Sequence, residues 1–486
     1  MLIEFNKKSL EKKYLCDPSQ NTDMSYGVLL YKADQLAVFF KGFMHIVDGE
    51  RKTVLLSLKN ASNYMPVLIA CWQAGLIPAI YSPNLSVPEY EVVLKEFNFD
   101  YFFSDFELIS DFLESKKLKG SIALEDGQIE SYRLEQIDTE IALLLFSSGT
   151  SGKQKCIPLS FKNLFSNITA FTKRLSISEN SNFLCGSPLW HAHGLYNSFL
   201  TAFFLKTSVY YSGPLNMMNA SALLKSVSVE NKIVFHITPS MIPILLMYAK
   251  KNSENELPDF YKMVCGTSFL DANSKKKVED LYKIKIFQQY GMTETLFMTI
   301  NNEFSDQKPD SVGQVIDDVI IEICNGDDLQ ISGLPGLIRV KSNSCFGSYY
   351  YGNKENEAFK NGYFYTGDIG YFDGDKSLFI TGREKDIIKK GGFSISANTI
   401  SSKLALIDGI EDAYTIGIKD PISGEEIYSF YISKIDMNEN DIRLQLKKDI
   451  SDKLLPKKIF RVNSFPKTET GKIIKPEMEA ILNKLL

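Results

Sequence analysis

From about residue 50 to 300 the chain alternates short apolar, β-branched runs with segments whose apolar residues recur every three or four positions. The runs at 53–58, 77–81 and 101–104 predict strands, and the intervening 64–74 and 90–97 predict helices. Strands that are apolar along their whole length are covered on both faces. The succession therefore predicts βαβ units and a mostly parallel sheet between helix layers. Between about 311 and 350 the texture changes to short alternating strands, 319–323 and 336–341, separated by Asn325-Gly-Asp-Asp and Ser332-Gly. That pattern suits a small β-barrel or antiparallel sheet appended to the larger layer.

Beyond Lys385 a helix (399–406), two strands (413–418 and 428–432) and a further helix (442–454) are enough for a separate α+β unit. The polar, glycine-containing Thr381-Gly-Arg-Glu-Lys-Asp386 marks the boundary, dividing the chain into domains 1–382 and 383–486. The fold class expected is thus α/β: a large N-terminal domain with parallel-type sheets covered by helices plus a small β-barrel subdomain, and a small α+β C-terminal domain.

Length agrees with this division, since 486 residues exceed what one ordinary core organises. A net charge of −5 is small for such a chain and argues against nucleic acid or an anionic membrane surface as a partner. Apolar stretches near 27–31 and 36–40 are broken by Lys32, Asp34 and Lys41, so no integral membrane segment is expected. The opening residues hold no apolar stretch of the kind that directs secretion. Seven cysteines, odd in number and without a CxxC pair, point to reduced thiols and a cytoplasmic protein. His191-Ala-His193 has no accompanying cysteine or carboxylate cluster, so no structural zinc site is expected.

The candidate chemistry begins at Leu145-Phe-Ser-Ser-Gly-Thr-Ser-Gly-Lys-Gln-Lys155, a loop of glycine, small hydroxyls and lysines after an apolar run. Gly149 and Gly152 let backbone N–H groups approach an oxyanion, Ser147, Ser148, Thr150 and Ser151 add hydroxyl donors, and Lys153 or Lys155 supplies charge. The spacing excludes a Walker loop, because Gly152-Lys153 is followed by Gln154. Taken by itself the segment suits a polar surface turn equally well.

Four further segments follow in order: Gln289-Tyr-Gly-Met-Thr-Glu294, Tyr365-Thr-Gly-Asp368, Gly382-Arg-Glu-Lys-Asp386 through Gly391-Gly392, and Pro466-Lys-Thr-Glu-Thr-Gly-Lys472. Together with Ala74-Gly-Leu-Ile-Pro78 and Leu159-Ser-Phe-Lys-Asn-Leu164, the five segments resemble the adenylate-forming superfamily of acyl-CoA synthetases, luciferases and nonribosomal-peptide adenylation domains. The closest likeness is to AMP-forming acyl-CoA synthetases. The resemblance implies an AMP-forming acid–thiol ligase that uses ATP and Mg²⁺ to adenylate a carboxylic acid and passes the acyl group to coenzyme A. The phosphopantetheine of a carrier protein is the alternative acceptor, and a nucleotide-binding scaffold without turnover a more distant one.

The same resemblance assigns residues. Ser147, Ser148, Gly149, Thr150, Ser151, Gly152 and Lys155 would hold the β- and γ-phosphates. Gly266, Thr267 and Ser268, with Gln288, Gln289, Tyr290 and Gly291, would line the adenine site. Thr293 would contact the α-phosphate, Glu294 would hold Mg²⁺, Asp368 and Arg383 would bind ribose, and His191 would order the acid against the α-phosphate. Lys472 would be the adenylating lysine and Lys385 the hinge of a mobile C-terminal domain. Lys389, Gly391 and Gly392 would form the acceptor loop for pantetheine. This chain departs from the family at Gln154 and Cys156, where proline and glycine are usual, and at Thr399, where glutamate is usual. It lacks the acidic "FDxS" that pairs an amino acid's ammonium. A small acid without an α-amine is therefore expected, with a short diacid included if His193 is positively charged.

Overall fold

The computed structural model describes residues 3–43, 51–107, 131–134, 141–148, 154–227, 232–252, 257–302, 308–326, 328–351, 358–467 and 473–486. They gather into two compact units, Met1–Val319 with Ser342–Glu357, and Ile320–Lys341 with Ala358–Leu486.

The first unit holds two parallel-type sheets. In the smaller, the order is Tyr101–Ser104, Thr53–Ser57, Ile77–Tyr81, Leu143–Ser148 and Gln154–Leu159, the first four parallel and the last antiparallel. Every residue of Thr53–Ser57 and of Ile77–Tyr81 is buried, as full apolar runs require. The helices between them start at caps visible in the sequence: Asn60 accepts from Ser62 N ahead of Ala61–Gln73, and Ser86 with Glu89 forms a capping box ahead of Val87–Glu96. Ala74-Gly-Leu-Ile-Pro78 is the exit of the first of these helices. Gly75 takes φ +74 there, and Leu76 N turns back to Cys71 O at 2.8 Å. The indole of Trp72 then donates to Ala142 O at 2.7 Å, fixing that helix to the start of the strand that leads into the phosphate loop.

The larger sheet has nine strands, in the order Gln314–Val315, Leu296–Ile300, Ile286–Met292, Lys262–Cys265, Ile233–Ile237, Asn182–Cys185, Val209–Tyr210, Lys13–Asp17 and Thr22–Ser25. Its centre is parallel, and an antiparallel pairing closes each end. Ile233, Phe235 and Ile237 face one core, packed with Leu245, Val278 and Tyr282 of the helices Ile242–Lys251 and Ala272–Tyr282. Alternation puts His236 on the opposite face, against Phe171 of the helix Phe161–Arg174, Phe183 and Phe297.

The second unit also has two sheets. A six-stranded sheet is centred on Tyr363–Phe372, which pairs antiparallel with Gly336–Ser342, Phe359–Lys360 and Leu378–Arg383. A five-stranded sheet follows, ordered Phe393–Ser396, Ile387–Lys390, Gly424–Ile432 and Asp412–Asp420, with Lys458–Arg461 parallel to Gly424–Ile432. The helix Ala397–Ala405 packs Ile400 and Leu404 on one core, and Lys475–Leu485 packs Met478 and Leu482 on another. Among the described residues no helix is long and apolar enough to cross a membrane.

His236 is 1% exposed and neither ring nitrogen has a hydrogen-bond partner among the described residues. Burial, reinforced by the neighbouring His193, lowers its pKa to about 3. Because the folded value lies below the unfolded one of about 6.5, the unfolded chain takes up the proton first. The stability this neutral imidazole permits is complete above about pH 6.5 and erodes as pH falls toward 3. His236→Leu is expected to flatten the loss of thermal stability between pH 6.5 and 5, by up to about 1.4 kcal/mol per pH unit. Parallel melting-temperature profiles for the two proteins would contradict it.

Candidate active site

Two turns meet in the first unit. The strands Leu143–Ser148 and Gln154–Leu159 pair antiparallel, Ser147 with Lys155 and Ser148 with Gln154, so the described ends of the phosphate-loop sequence lie side by side. Gly149, Thr150, Ser151, Gly152 and Lys153 lie outside the described residues. The second turn joins Ile286–Met292 to Leu296–Ile300. Gly291 is demanded there, since a Cβ would stand 2.1 Å from Leu296 O. Thr295 N closes the turn on Met292 O at 3.2 Å, and the Glu294 carboxylate is buried, 5% exposed. Ser147 Oγ donates to Glu294 Oε1 at 3.1 Å, joining the two turns. Tyr290, Gly291 and Thr293 are half-buried beside it.

A strap of residues 342–351 binds both turns. Ser344 Oγ donates to Thr295 O at 2.9 Å, Phe346 N to Glu294 O at 2.9 Å, and Tyr350 N to Cys156 O at 3.0 Å. Asn163 secures it from the other side, donating to Asn343 O at 2.7 Å and Cys345 O at 3.0 Å. This gives the segment Leu159-Ser-Phe-Lys-Asn-Leu164 a physical meaning: Ser160 and Asn163 are the capping box of the helix Phe161–Arg174, and the Asn163 amide also grips the strap. Lys155 Nζ reaches Tyr349 OH at 3.1 Å. Burial and the Glu294 carboxylate raise the pKa of Tyr349 and push the Cys345 thiol up to about 12, so both stay protonated.

The two departures in the phosphate-loop strand are also explained. Gln154 Oε1 accepts from Tyr81 OH, anchoring the base of the loop where proline would have stiffened it. Cys156 is 1% exposed in the core that holds Tyr350 and Tyr351.

At the end of Lys262–Cys265, Gly266 lies under Gln289, whose amide nitrogen would be 1.8 Å from an added Cβ. Thr267 takes φ +76, a costly conformation for a β-branched residue, and its buried hydroxyl has no partner among the described residues; nor has Gln289 Oε1. Ser268 is exposed. Gln288 is engaged elsewhere, its amide donating to Pro309 O at 2.6 Å and Ser311 O at 2.8 Å.

His191 is half-buried and caps the short helix Ala192–Gly194, where Gly194 is needed because a Cβ would stand 2.3 Å from Pro188 O. A π-helical stretch, Leu195–Leu200, follows. His193 Nδ1 pairs with Ser187 Oγ at 2.7 Å. Burial and His191 lower its pKa to about 4, so the positive His193 that would favour a diacid is absent at neutral pH.

In the second unit Asp368, 2% exposed, faces Arg383 across the strand pair Tyr363–Phe372 and Leu378–Arg383, with Arg383 Nε 2.8 Å from its Oδ1. Lys385 lies in the 3₁₀ turn Glu384–Asp386 that leads into Ile387–Lys390. Gly391 and Gly392, at φ +57 and +83, make the two-residue turn between that strand and Phe393–Ser396, and a Cβ on either would meet nothing. Lys389 is exposed, its backbone N–H donating to Glu425 Oε2 at 2.7 Å. Lys472 lies outside the described residues.

Tyr81, Asn163, Cys345 and Tyr349 were not anticipated from the sequence. The run Tyr349-Tyr-Tyr351, uncommonly aromatic for a connecting segment, is a sequence signal that could have found this region. No group of three or more His, Cys, Asp or Glu that could hold a metal ion occurs among the described residues. The buried Glu294 carboxylate suits Mg²⁺, which is commonly held by one or two carboxylates together with substrate phosphates.

Comparison with known proteins agrees with this geometry. Residues 4–350 match the AMP-binding enzyme family and residues 400–472 match the AMP-binding enzyme C-terminal domain. A 2-succinylbenzoate–CoA ligase of Staphylococcus aureus (strain JH9) is 25% identical over 480 residues, spanning 92% of this chain and 93% of that protein. ATP-bound MatB from Rhodopseudomonas palustris shares the fold with a TM-score of 0.86 at 20% identity, over 98% of this chain and 96% of that one. The o-succinylbenzoate CoA synthetase MenE from Bacillus subtilis, in complex with the acyl-adenylate intermediate OSB-AMP, does so with a TM-score of 0.82 at 21% identity, over 98% of each chain. With a family match running through the phosphate-loop hairpin, the Glu294 turn and the strap, the chain belongs to the AMP-binding enzymes.

Proposed function

We propose that this protein is an AMP-forming carboxylate–CoA ligase acting on a small or medium-sized acid without an α-amine. The observation that carries the reading is the Ser147–Glu294 hydrogen bond at 3.1 Å, which puts the phosphate-loop hairpin beside the buried carboxylate of the turn between Met292 and Leu296. In the first step a carboxylate oxygen bonds to the α-phosphorus of ATP, the bond from that phosphorus to the bridging oxygen breaks, and pyrophosphate leaves. In the second the thiol sulfur of CoA, giving up its proton, bonds to the acyl carbon and AMP leaves.

Both steps depend on positioning and charge neutralisation. Ser147, Lys155 and the loop amides would grip the β- and γ-phosphates. Glu294 would hold Mg²⁺, which when bound neutralises phosphate charge. Thr293 would donate to the α-phosphate, Tyr290 would stack on adenine, and Asp368, oriented by Arg383, would accept from the ribose hydroxyls. Gln288 has a smaller part in this scheme than its position in the motif suggests, because its amide is committed to Pro309 and Ser311. The domain 383–486 would turn about Lys385 between steps, presenting Lys472 in the first and the open Gly391-Gly392 turn, where the pantetheine arm can approach closely, in the second. The acid would lie by His191, and a neutral His193 favours an aliphatic or aromatic chain over a second carboxylate there. Seven free cysteines fit a reducing, cytoplasmic setting.

Pyrophosphate release measured over fatty, aromatic, dicarboxylic and amino acids, with and without CoA, tests the reading. An acid-dependent release with a CoA-dependent thioester is expected. Adenylate formed but passed only to a carrier-protein phosphopantetheine would move the acceptor, and no acid-dependent release at all would refute the ligase.

Lys472→Ala is expected to slow adenylation by about 10²–10³ while sparing thioester formation from supplied acyl-adenylate. Equal losses in both half-reactions would remove that assignment.

Lys385→Pro, which fixes φ near −65°, is expected to impair the second half-reaction more than the first. Full coupled turnover in this variant would rule out a hinge at 385.

A further inference from the structure

We infer that Tyr349 is the positioning residue for Lys155, holding its ammonium at the base of the phosphate loop so that it meets the β- and γ-phosphates of ATP already placed. The inference rests on the ligase reading only for its nucleotide. Two contacts define it: Lys155 Nζ lies 3.1 Å from Tyr349 OH and 4.7 Å from the centroid of the same ring. The phenol oxygen accepts from the ammonium, and because that oxygen is the nearer of the two it is the hydroxyl rather than the ring face that fixes the ammonium's place.

Tyr349 is itself held. Its ring lies 4.8 Å from that of Phe346, whose backbone N–H is bonded to Glu294 O, and the next residue, Tyr350, is bonded through its N–H to Cys156 O. The lysine on the hairpin is thereby referenced to the turn carrying Glu294, although 194 residues separate Lys155 from Tyr349. A phenol suits this task better than a carboxylate. It orders the lysine yet leaves the cation's charge uncompensated, and that charge is what a triphosphate requires. Left unrestrained, a lysine's four-carbon stem would have to be ordered anew at each binding event.

The test is a double-variant cycle read by equilibrium binding of Mg·ATP, without acid or CoA. Tyr349→Phe keeps the ring and removes the acceptor, and is expected to weaken Mg·ATP binding about 5- to 20-fold. In a Lys155→Met background the same change is expected to cost less than about 2-fold, because the partner is gone. With AMP in place of Mg·ATP, Tyr349→Phe is expected to change affinity by less than about 2-fold, since the β- and γ-phosphates are absent. Equal losses in both lysine backgrounds, or equal losses for AMP and Mg·ATP, would mean that Tyr349 only supports the fold, and would overturn the inference. Unchanged Mg·ATP affinity in Tyr349→Phe would overturn it as well. Should Lys155→Met not fold, Lys155→Gln closes the same cycle. A wild-type protein that binds Mg·ATP but joins no acid to CoA would count against the ligase reading, while the cycle would still decide the role of Tyr349.

Discussion

Everything around the candidate active site answers one physical demand, the burial of the Glu294 carboxylate. A carboxylate withdrawn from water is costly unless donors or cations surround it. Here Ser147 supplies a direct donor. Tyr349 and Cys345, whose own ionisation that carboxylate opposes, are kept as neutral neighbours rather than competing anions. The backbone of Glu294 is fixed independently through its carbonyl, so the carboxylate's place is set by the strap and the tight Gly291 turn before any ligand arrives. A buried acidic oxygen held in this way is arranged to receive a hard cation.

The strap explains how residues far apart in sequence share one geometry. Asn163 caps a helix and at the same time bonds two carbonyls of the strap, while Tyr350 ties the strap to the phosphate-loop strand. A disturbance at any of these points should be felt at Glu294, because the strap bonds to the backbone of both turns.

Much of the fold was legible in the sequence because buried parallel strands leave uninterrupted apolar runs. The strands Thr53–Ser57, Ile77–Tyr81 and Tyr101–Ser104 lie where those runs are. The helix expected at 442–454 ends sooner, as Glu439–Leu446: the chain tightens through Lys447–Asp449 while Ile450 and Leu455 still face the core, so the apolar period outlasts the helical backbone. Ser147 and Glu294, from separate motifs, meet through a hydrogen bond. Gln288 shows the limit, since a motif position does not reveal that its amide bonds to Pro309 and Ser311. Nor could Lys155–Tyr349 be read from the sequence, because a pairing over such a separation leaves no local period.

The larger sheet also carries a timing constraint. Its strand Lys13–Asp17 finds its parallel neighbour only in Val209–Tyr210. On a ribosome adding about 5–20 residues per second, roughly 10–40 s pass between the emergence of the two. During that interval the early hairpin, with Tyr14, Leu15 and Met24 destined for the interior, has an unpaired edge and exposed apolar side chains. Nascent chains of this protein therefore present a sticky edge to the cell long before the sheet can absorb it, and their yield should depend on how well that edge is shielded during synthesis.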